Sequence, residues 1–172
     1  RLDEAYPTLH NLVGYYSGQE LRQGYIADRP GSSLERGYDQ WALAIIADAL
    51  GKTDEAKDLR AQAALPFQNV FKAGAWTAAD GTKVGLLTPR NAAGDWTSVD
   101  YERFEAANLY QGTPWQYNWY GAYDMAGTIQ AMGGSKAAKL AVEHMFGEDA
   151  ATDDGTGMLH SNANEIDLQA PY

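Results

Sequence analysis

The fold is decided by residues 32–70, which read SSLERGYDQWALAIIADALGKTDEAKDLRAQAALPFQNV. Apolar side chains recur in this stretch every three or four positions, the spacing that places them on one face of a helix. Ser32 followed by Glu35 is typical of a capping box, so a helix is predicted from there to Gly51. Thr53 can cap the next helix. Because the turn between the two helices is short, they are expected to pack antiparallel.

The rest of the chain repeats this plan with longer connections. Helical spacing predicts further helices over residues 2–13, 115–132 and 135–145, and Pro66 is expected to bend the helix that starts at Thr53. Residues 74–112 contain turn signals but no long helical period, which predicts a long ordered loop. A loop of that length is uncommon unless it has a function. The sequence therefore predicts an all-α unit, part of an α/α toroid, with long functional loops between helix pairs.

Composition excludes several classes of protein. The 172 residues include 23 acidic and 13 basic side chains, a formal net charge of −10, and no cysteine. The acidic excess argues against a nucleic-acid partner, since there is no cationic surplus to replace counterions on phosphates. Without cysteine there is no disulfide framework, thiolate metal site or cysteine nucleophile. No apolar stretch is long enough for membrane insertion, and the opening Arg1-Leu2-Asp3 predicts a piece of a longer chain.

Aromatic and amide side chains are concentrated in two loop segments, residues 110–117 and 160–165. Such a mixture suits sugars, because the C–H face of a pyranose stacks on an aromatic ring while its hydroxyls need hydrogen-bonding partners. The rings of Trp115, Trp119 and Tyr123 also have the spacing of a buried helix face, which is the more common reason for that pattern. Dinucleotide, P-loop, EF-hand, zinc and nucleophile-elbow motifs are absent from the sequence.

An ordered series of short segments makes the chain resemble glycoside hydrolase family 92. The segments are Gly24-Tyr25-Ile26, Ser33-Leu34-Glu35, Tyr38-Asp39-Gln40-Trp41, Ala47 to Lys52, Pro89-Arg90, Gly94-Asp95-Trp96, Gln111-Gly112, Trp115-Gln116-Tyr117, Asp124 with Gly127, and Met132-Gly133-Gly134. The resemblance implies a calcium-dependent, inverting exo-α-mannosidase in which a β-sandwich precedes an (α/α)6 barrel. Residues 1–172 would form about half of that barrel, with the N-terminal β-sandwich and the C-terminal part of the barrel absent. The family also implies secretion or display at the cell surface of a bacterium.

One departure from the family pattern concerns the general acid. The family usually reads Thr-Glu-Gly-Asn-Ala-Trp-Gln-Tyr, whereas residues 110–117 read YQGTPWQY, so Gln111 stands in place of the catalytic glutamate. An amide cannot donate a titratable proton to a leaving oxygen. By the same resemblance, Trp115 and Gln116 are expected to line the substrate pocket.

The second departure lies near the end of the chain. Where the family carries Gly-Asn-Glu-Pro-Ser-His-His before Pro-Tyr, residues 163–172 read ANEIDLQAPY. Asn164 and Glu165 are kept and are expected to bind substrate and to form the calcium environment. The histidine pair is replaced by Leu168-Gln169, and Gln169 is expected to contact substrate on the leaving-group side.

Together the departures are similar to those expected of a family member that uncaps mannose-α-1-phospho-6-mannose, releasing mannose and exposing mannose 6-phosphate. The expected partners are then mannose-containing glycans with phosphodiester caps. The family's catalytic base, an aspartate in a Gly-Asn-Asp motif, has no match up to Tyr172, so the chain alone is expected to be inactive. Two alternatives remain at this point, an ordinary exo-α-1,2-mannosidase and a catalytically inactive mannan-binding module.

Overall fold

The computed structural model describes residues 1–13 and 24–147. In chain order the helices and strands are α1 Leu2–Val13, α2 Pro30–Ala49, α3 Thr53–Ala63, α4 Leu65–Asn69, β1 Phe71–Thr77, β2 Lys83–Leu87, α5 Pro114–Tyr117, α6 Met125–Met132 and α7 Ser135–Met145. Short 3-10 turns cover Ala106–Asn108 and Asn118–Asp124. No helix in this part of the chain has both the length and the hydrophobicity that crossing a bilayer would require.

The second helix begins earlier than the predicted capping box. Its first residue is Pro30, whose fixed φ is already suited to a helix, and Arg29 precedes it without a side-chain cap. Ser33, not Ser32, closes this end of the helix: its hydroxyl accepts from the Ile26 amide at 2.9 Å and donates to the Arg29 carbonyl at 2.8 Å. The prediction of Ser32 and Glu35 as a capping pair was therefore wrong, and Glu35 lies within the helix.

The expected helix pairing is present, with one break. Helices α2 and α3 pack against each other, joined by the turn at Gly51, which has a φ of 73°. The helix predicted to bend at Pro66 is instead interrupted after Ala63, and α4 restarts with Pro66 at its second position. Proline lacks the amide that would continue the hydrogen-bond ladder and disfavours helical backbone in the residue before it, so the bend becomes a break.

The all-α prediction was wrong for the first part of residues 74–112. Strands β1 and β2 form an antiparallel hairpin with Phe71 opposite Leu87 and Thr77 opposite Lys83. Its turn contains Asp80, whose carboxylate accepts from the Thr82 amide at 2.9 Å and lies 2.8 Å from the Lys136 ammonium. The fold is therefore helix-rich with one small sheet. The half-barrel assignment stays a prediction from the resemblance.

The helix predicted over 115–132 is divided into α5, a 3-10 turn and α6. Asn118 lies in the turn, fully buried, and its side chain accepts from the Leu87 amide at 2.9 Å and donates to the Gly85 carbonyl at 3.3 Å. These bonds satisfy backbone groups of β2 and connect the hairpin to the helices. Asp124 then caps α6 by accepting from the Gly127 amide at 2.8 Å, so its role in the fold is that of a structural acceptor.

Two hydrophobic clusters hold these elements together. The smaller one lies between α1, α2 and α3 and includes Tyr6, Leu43 and Leu59. The larger one joins the hairpin to α2, α5, α6 and α7, with Trp115 at its centre and only 1% exposed. At its edge the imidazole of His144 packs against two indoles that also contact each other: its ring centre lies 4.6 Å from that of Trp76 and 4.5 Å from that of Trp115, and the two indole centres are 5.1 Å apart.

Candidate functional site

The loop of residues 105–112 has an unusual backbone. Four of its non-glycine residues are left-handed, with φ of 57° at Glu105, 60° at Ala107, 55° at Asn108 and 52° at Gln111. Each such residue costs about 1 kcal/mol or more, and backbone strain of this kind is concentrated at functional sites. The loop is closed on itself by a hydrogen bond from the Glu105 amide to the Gly112 carbonyl at 2.9 Å. The loop is therefore a strained but well-bonded structure.

Contacts with two other loops hold this strained segment in place. The Asn108 side chain donates to the Asp28 carbonyl at 2.9 Å, and the Asp28 amide donates to the Arg90 carbonyl at 2.8 Å. Arg90 also bonds the Gly94 carbonyl at 2.7 Å and lies over the ring of Trp96. The loops before α2, after β2 and before α5 thus meet at one end of the helices, and Arg90 anchors the second of them.

Gln111 lies in this strained loop, directly before α5. Its side chain is exposed, and its backbone amide lies 3.3 Å from a carboxylate oxygen of Glu105. The structure therefore presents the Gln111 side chain at the surface, with the Glu105 carboxylate bonded to its backbone amide. Sequence analysis missed Glu105, since nothing in its local sequence indicates a left-handed backbone that turns it towards Gln111.

Trp115 and Gln116 lie beneath this surface. The Trp115 indole is in the core and donates to the Tyr101 carbonyl at 2.9 Å, and the Gln116 side chain, 1% exposed, accepts from the Thr113 amide at 2.9 Å. With Thr113 it forms a capping box that starts α5. The structure places both residues where they support the loop from below, and direct substrate contact by either one stays a prediction.

A groove of about 230 Å³ opens between the first turns of α2 and the strained loop. We call it the tyrosine groove; its lining includes Gly31, Ser32, Glu35, Asn108, Tyr110 and Tyr120. The Tyr110 side chain is 72% exposed, while its carbonyl accepts from the Tyr117 hydroxyl at 2.6 Å. The groove combines an aromatic face with a carboxylate, a hydroxyl and an amide, which is a composition suited to a sugar.

The groove carries negative charge on its α2 side. Glu35 and Asp39 lie one helical turn apart, and both side chains reach solvent. The surrounding protein removes part of their hydration and raises the pKa of Glu35, which the Asp39 carboxylate raises further. Burial also raises the pKa of Asp39, although the neighbouring Arg36 opposes it. Burial, followed by the charges of Glu35 and Asp39, raises the pKa of the Tyr120 hydroxyl.

The remaining predicted site residues, Asn164, Glu165 and Gln169, lie outside the described residues. The calcium environment assigned to Asn164 and Glu165 is therefore without a geometric test. Within residues 1–13 and 24–147, no group of three or more histidine, aspartate or glutamate side chains is arranged to hold a metal ion. The described part of the site thus contributes loop, groove and carboxylates, but no metal centre.

Comparison with known proteins gives a consistent assignment. The model of the glycosyl hydrolase family 92 catalytic domain matches residues 8–172. The chain is similar to the solved structure of the GH92 family glycosyl hydrolase ccman5, with 65% sequence identity and a TM-score of 0.90 over the whole chain. It is also similar in fold to the family GH92 inverting mannosidase BT2199 from Bacteroides thetaiotaomicron VPI-5482, with 22% identity and a TM-score of 0.60 over 78% of the chain.

The matched region is a small share of these relatives, 22% of the first structure and 17% of the second. None of the curated proteins matches this sequence significantly. The family model nevertheless extends over nearly the whole chain, and the identity of 65% to ccman5 holds over its full length. The chain belongs to the glycosyl hydrolase family 92 catalytic domain.

Proposed function

We propose that the complete polypeptide hydrolyses mannose-α-1-phospho-6-mannose, releasing mannose with inversion and exposing mannose 6-phosphate. Membership of family 92 and the likeness to a family 92 mannosidase support the glycosidase part of the proposal. The observation that supports cleavage of a phosphodiester-capped substrate is Gln111, a neutral amide at the position of the family's general acid. Its side chain is exposed in the strained loop before α5.

The chemistry of the leaving group explains why an amide is sufficient there. A sugar alkoxide is a poor leaving group, and general-acid assistance is typically worth about 10² to 10⁴ in rate. A phosphate monoester has its last ionisation near pH 6, so it departs as a stable anion without being protonated. A neutral amide also donates a hydrogen bond to phosphate without the repulsion that a carboxylate would exert.

The reaction is balanced without a proton from Gln111. Water attacks the anomeric carbon of the terminal mannose, the C1–O bond to phosphate breaks, and its electron pair leaves on the phosphate oxygen. A carboxylate base takes the proton from water on the opposite face of the sugar, as inversion requires. In this step Gln111 would orient the departing phosphate by a hydrogen bond from its side-chain NH₂.

Calcium is proposed as the cofactor because the family implies it, with Asn164 and Glu165 as the candidate residues to hold it. When bound, such an ion coordinates sugar hydroxyls and stabilises a distorted ring. Secretion or surface display is proposed on the same family grounds. The proposed partners are mannose-containing glycans with phosphodiester caps.

A second candidate function has a specific observation in its favour. A carboxylate oxygen of Glu105 lies 3.3 Å from the backbone nitrogen of Gln111, so a second carboxyl group lies close to the position of the replaced residue. If Glu105 supplied a proton to the leaving oxygen, the protein would be an ordinary exo-α-1,2-mannosidase. The third candidate, an inactive mannan-binding module, would bind these glycans and release nothing.

One experiment separates the three. The complete polypeptide is incubated with mannose-α-1-phospho-6-mannose and, separately, with α-1,2-mannobiose, and released mannose is measured. The proposal expects release from the capped substrate only, and Gln111→Glu is expected to create or raise activity on mannobiose. This variant keeps the shape of the side chain, so its thermal stability serves as the folding control.

The alternatives give different results in the same assay. If mannose is released from mannobiose and Glu105→Gln lowers that rate by about 10² or more, the second candidate is established and the proposal is overturned. Binding of both glycans without release would establish the third. A folded Gln111→Glu protein with no gain on mannobiose would contradict the acid-replacement argument.

A further inference from the structure

The tyrosine groove lies beside the residue at which the leaving group is expected. Tyr110 directly precedes Gln111, and Asn108 belongs to the same strained loop. The opposite wall is the first two turns of α2, with Ser32 and Glu35. A group that leaves past Gln111 therefore has this groove as its neighbouring surface.

One wall of the groove provides an exposed aromatic ring on an anchored backbone. The ring of Tyr110 is 72% exposed, although its backbone carbonyl is held by the Tyr117 hydroxyl at 2.6 Å. An exposed ring on an anchored backbone offers stacking area without much ordering cost when a ligand binds. The C–H face of a pyranose is the kind of apolar surface that fits it.

The other wall provides hydrogen-bonding groups and negative charge. The Glu35 carboxylate accepts from sugar hydroxyls, Ser32 can donate or accept, and the Asn108 carbonyl oxygen can accept while its NH₂ is held by Asp28. With Asp39 one turn further along α2, this side repels an anion. The negative charge favours a neutral ring in the groove.

We propose that the tyrosine groove is a subsite for the neutral hexose ring that follows the scissile bond, with Tyr110 as its stacking platform and Glu35 as its hydrogen-bond acceptor. This inference rests on the proposed function in one respect, that Gln111 faces the leaving group. Under that function the occupant is the mannose ring of the departing mannose 6-phosphate. Its phosphate would lie outside the acidic part of the groove.

The test compares two substrates that differ in whether a sugar leaves. Mannose-α-1-phospho-6-mannose releases a group with a second ring, whereas α-mannosyl fluoride releases fluoride only. We compare kcat/KM for mannose-α-1-phospho-6-mannose with kcat/KM for α-mannosyl fluoride in the complete polypeptide. Tyr110→Ala is expected to lower the ratio of the first to the second by about threefold to tenfold, because one aromatic contact with the leaving sugar is lost. Tyr110→Phe, which keeps the ring, is expected to restore the ratio.

Two further variants sharpen the result. Glu35→Gln keeps the side-chain shape and is expected to lower the same ratio, through KM. Ile45→Ala, at a 45% exposed position of α2 away from the groove, is the matched control and is expected to leave the ratio unchanged. Equal losses on both substrates in Tyr110→Ala, or no loss on either, would overturn the subsite.

The failure of the subsite can be told from the failure of the proposed function. The wild-type preference between mannose-α-1-phospho-6-mannose and α-1,2-mannobiose tests the proposed function. The groove is tested separately, by comparing Tyr110→Ala with wild type in the kcat/KM ratio of the disaccharide that is cleaved to α-mannosyl fluoride. If no mannose is released from any substrate, calorimetric titration of the disaccharides into wild type and Tyr110→Ala gives the same comparison. Equal affinity in the two proteins would then refute the subsite.

Discussion

Replacement of Gly37 by alanine is predicted to destabilise the protein because of one specific overlap. An added Cβ would overlap the hydroxyl oxygen of Tyr123 and lie 3.0 Å from the Ala63 carbonyl oxygen. The Tyr123 hydroxyl cannot simply retreat, since it donates to that same carbonyl at 2.8 Å. Its ring is also enclosed by Tyr38 and Phe67, with ring centres 5.7 Å and 5.4 Å away.

The expected magnitude follows from three contributions. Overpacking of a well-packed site costs typically about 1–3 kcal/mol. Loss of the Tyr123 hydrogen bond adds about 1 kcal/mol. Alanine is better than glycine in a helix interior by about 1 kcal/mol, which opposes both. Gly37→Ala should therefore lower the free energy of unfolding by about 1–3 kcal/mol.

The assay is a double-mutant cycle read by thermal unfolding of the complete polypeptide. Tyr123→Phe removes the overlapping oxygen, so Gly37→Ala should cost much less in that background, or even stabilise the protein through helix propensity. The predicted coupling between the two sites is about 1 kcal/mol or more, with the double variant more stable than additivity expects. Equal cost of Gly37→Ala in both backgrounds would refute the overlap as the cause.

Two further predictions concern charge and packing near the candidate site. The pKa of Glu35 is raised in the folded protein, so its protonated form favours the folded state. That stabilising effect is fully present at low pH and is lost as the pH rises above about 4.5 through the folded pKa. Glu35→Gln should therefore raise the Tm at pH 7 more than at pH 4. Equal Tm shifts at both pH values would contradict this reasoning. His144→Ala should cost about 1–3 kcal/mol, because the imidazole packs against two indoles, whereas Glu102→Gln, which changes only its partly exposed hydrogen-bonding partner, should cost less than about 1 kcal/mol. Chemical denaturation of both variants checks the order, and a larger loss in Glu102→Gln would show that the contact with Glu102 outweighs the packing.

The helices of the first half were predictable from the sequence because their apolar spacing is regular. Helix α2 keeps Leu43 and Ala47 buried on one face, and α3 does the same with Ala56 and Leu59. Tertiary packing does not need to override local preference in these segments. The errors there concern the start of α2, which Pro30 provides and which was assigned to Ser32, and its buried face, since Ile45 has the apolar spacing but is 45% exposed.

The hairpin was missed because its first strand is irregular. Gly74 has a φ of 64°, and the register shifts between Lys72 and Trp76, so the alternation of inward and outward side chains is broken. Asp80-Gly81 indicates a turn, but without regular alternation of apolar and polar residues on either side of it the segment is predicted as a loop. A bulge of this kind is set by how the strand packs, which local sequence does not reveal.

The candidate site was predictable only in part. The resemblance to family 92 indicated Gln111 as the unusual residue, and the structure adds that it is exposed beside Glu105. The four left-handed residues of this loop include no glycine, and only Asn108 is of a residue type enriched in that conformation. The aromatic pattern of residues 110–117 divides in the structure into an exposed Tyr110 and a buried Trp115, a distinction that spacing alone could not make.

The cluster of His144, Trp76 and Trp115, whose ring centres lie 4.5 to 5.1 Å apart, gives the protein an optical reporter of its own. Two of the five tryptophans contact one imidazole, and each comes from a different element, the hairpin in one case and α5 in the other. Separation of the hairpin, α5 or α7 from the others would change the surroundings of these indoles. Tryptophan fluorescence emission therefore reports whether the hairpin, α5 and α7 stay packed together, without any attached dye.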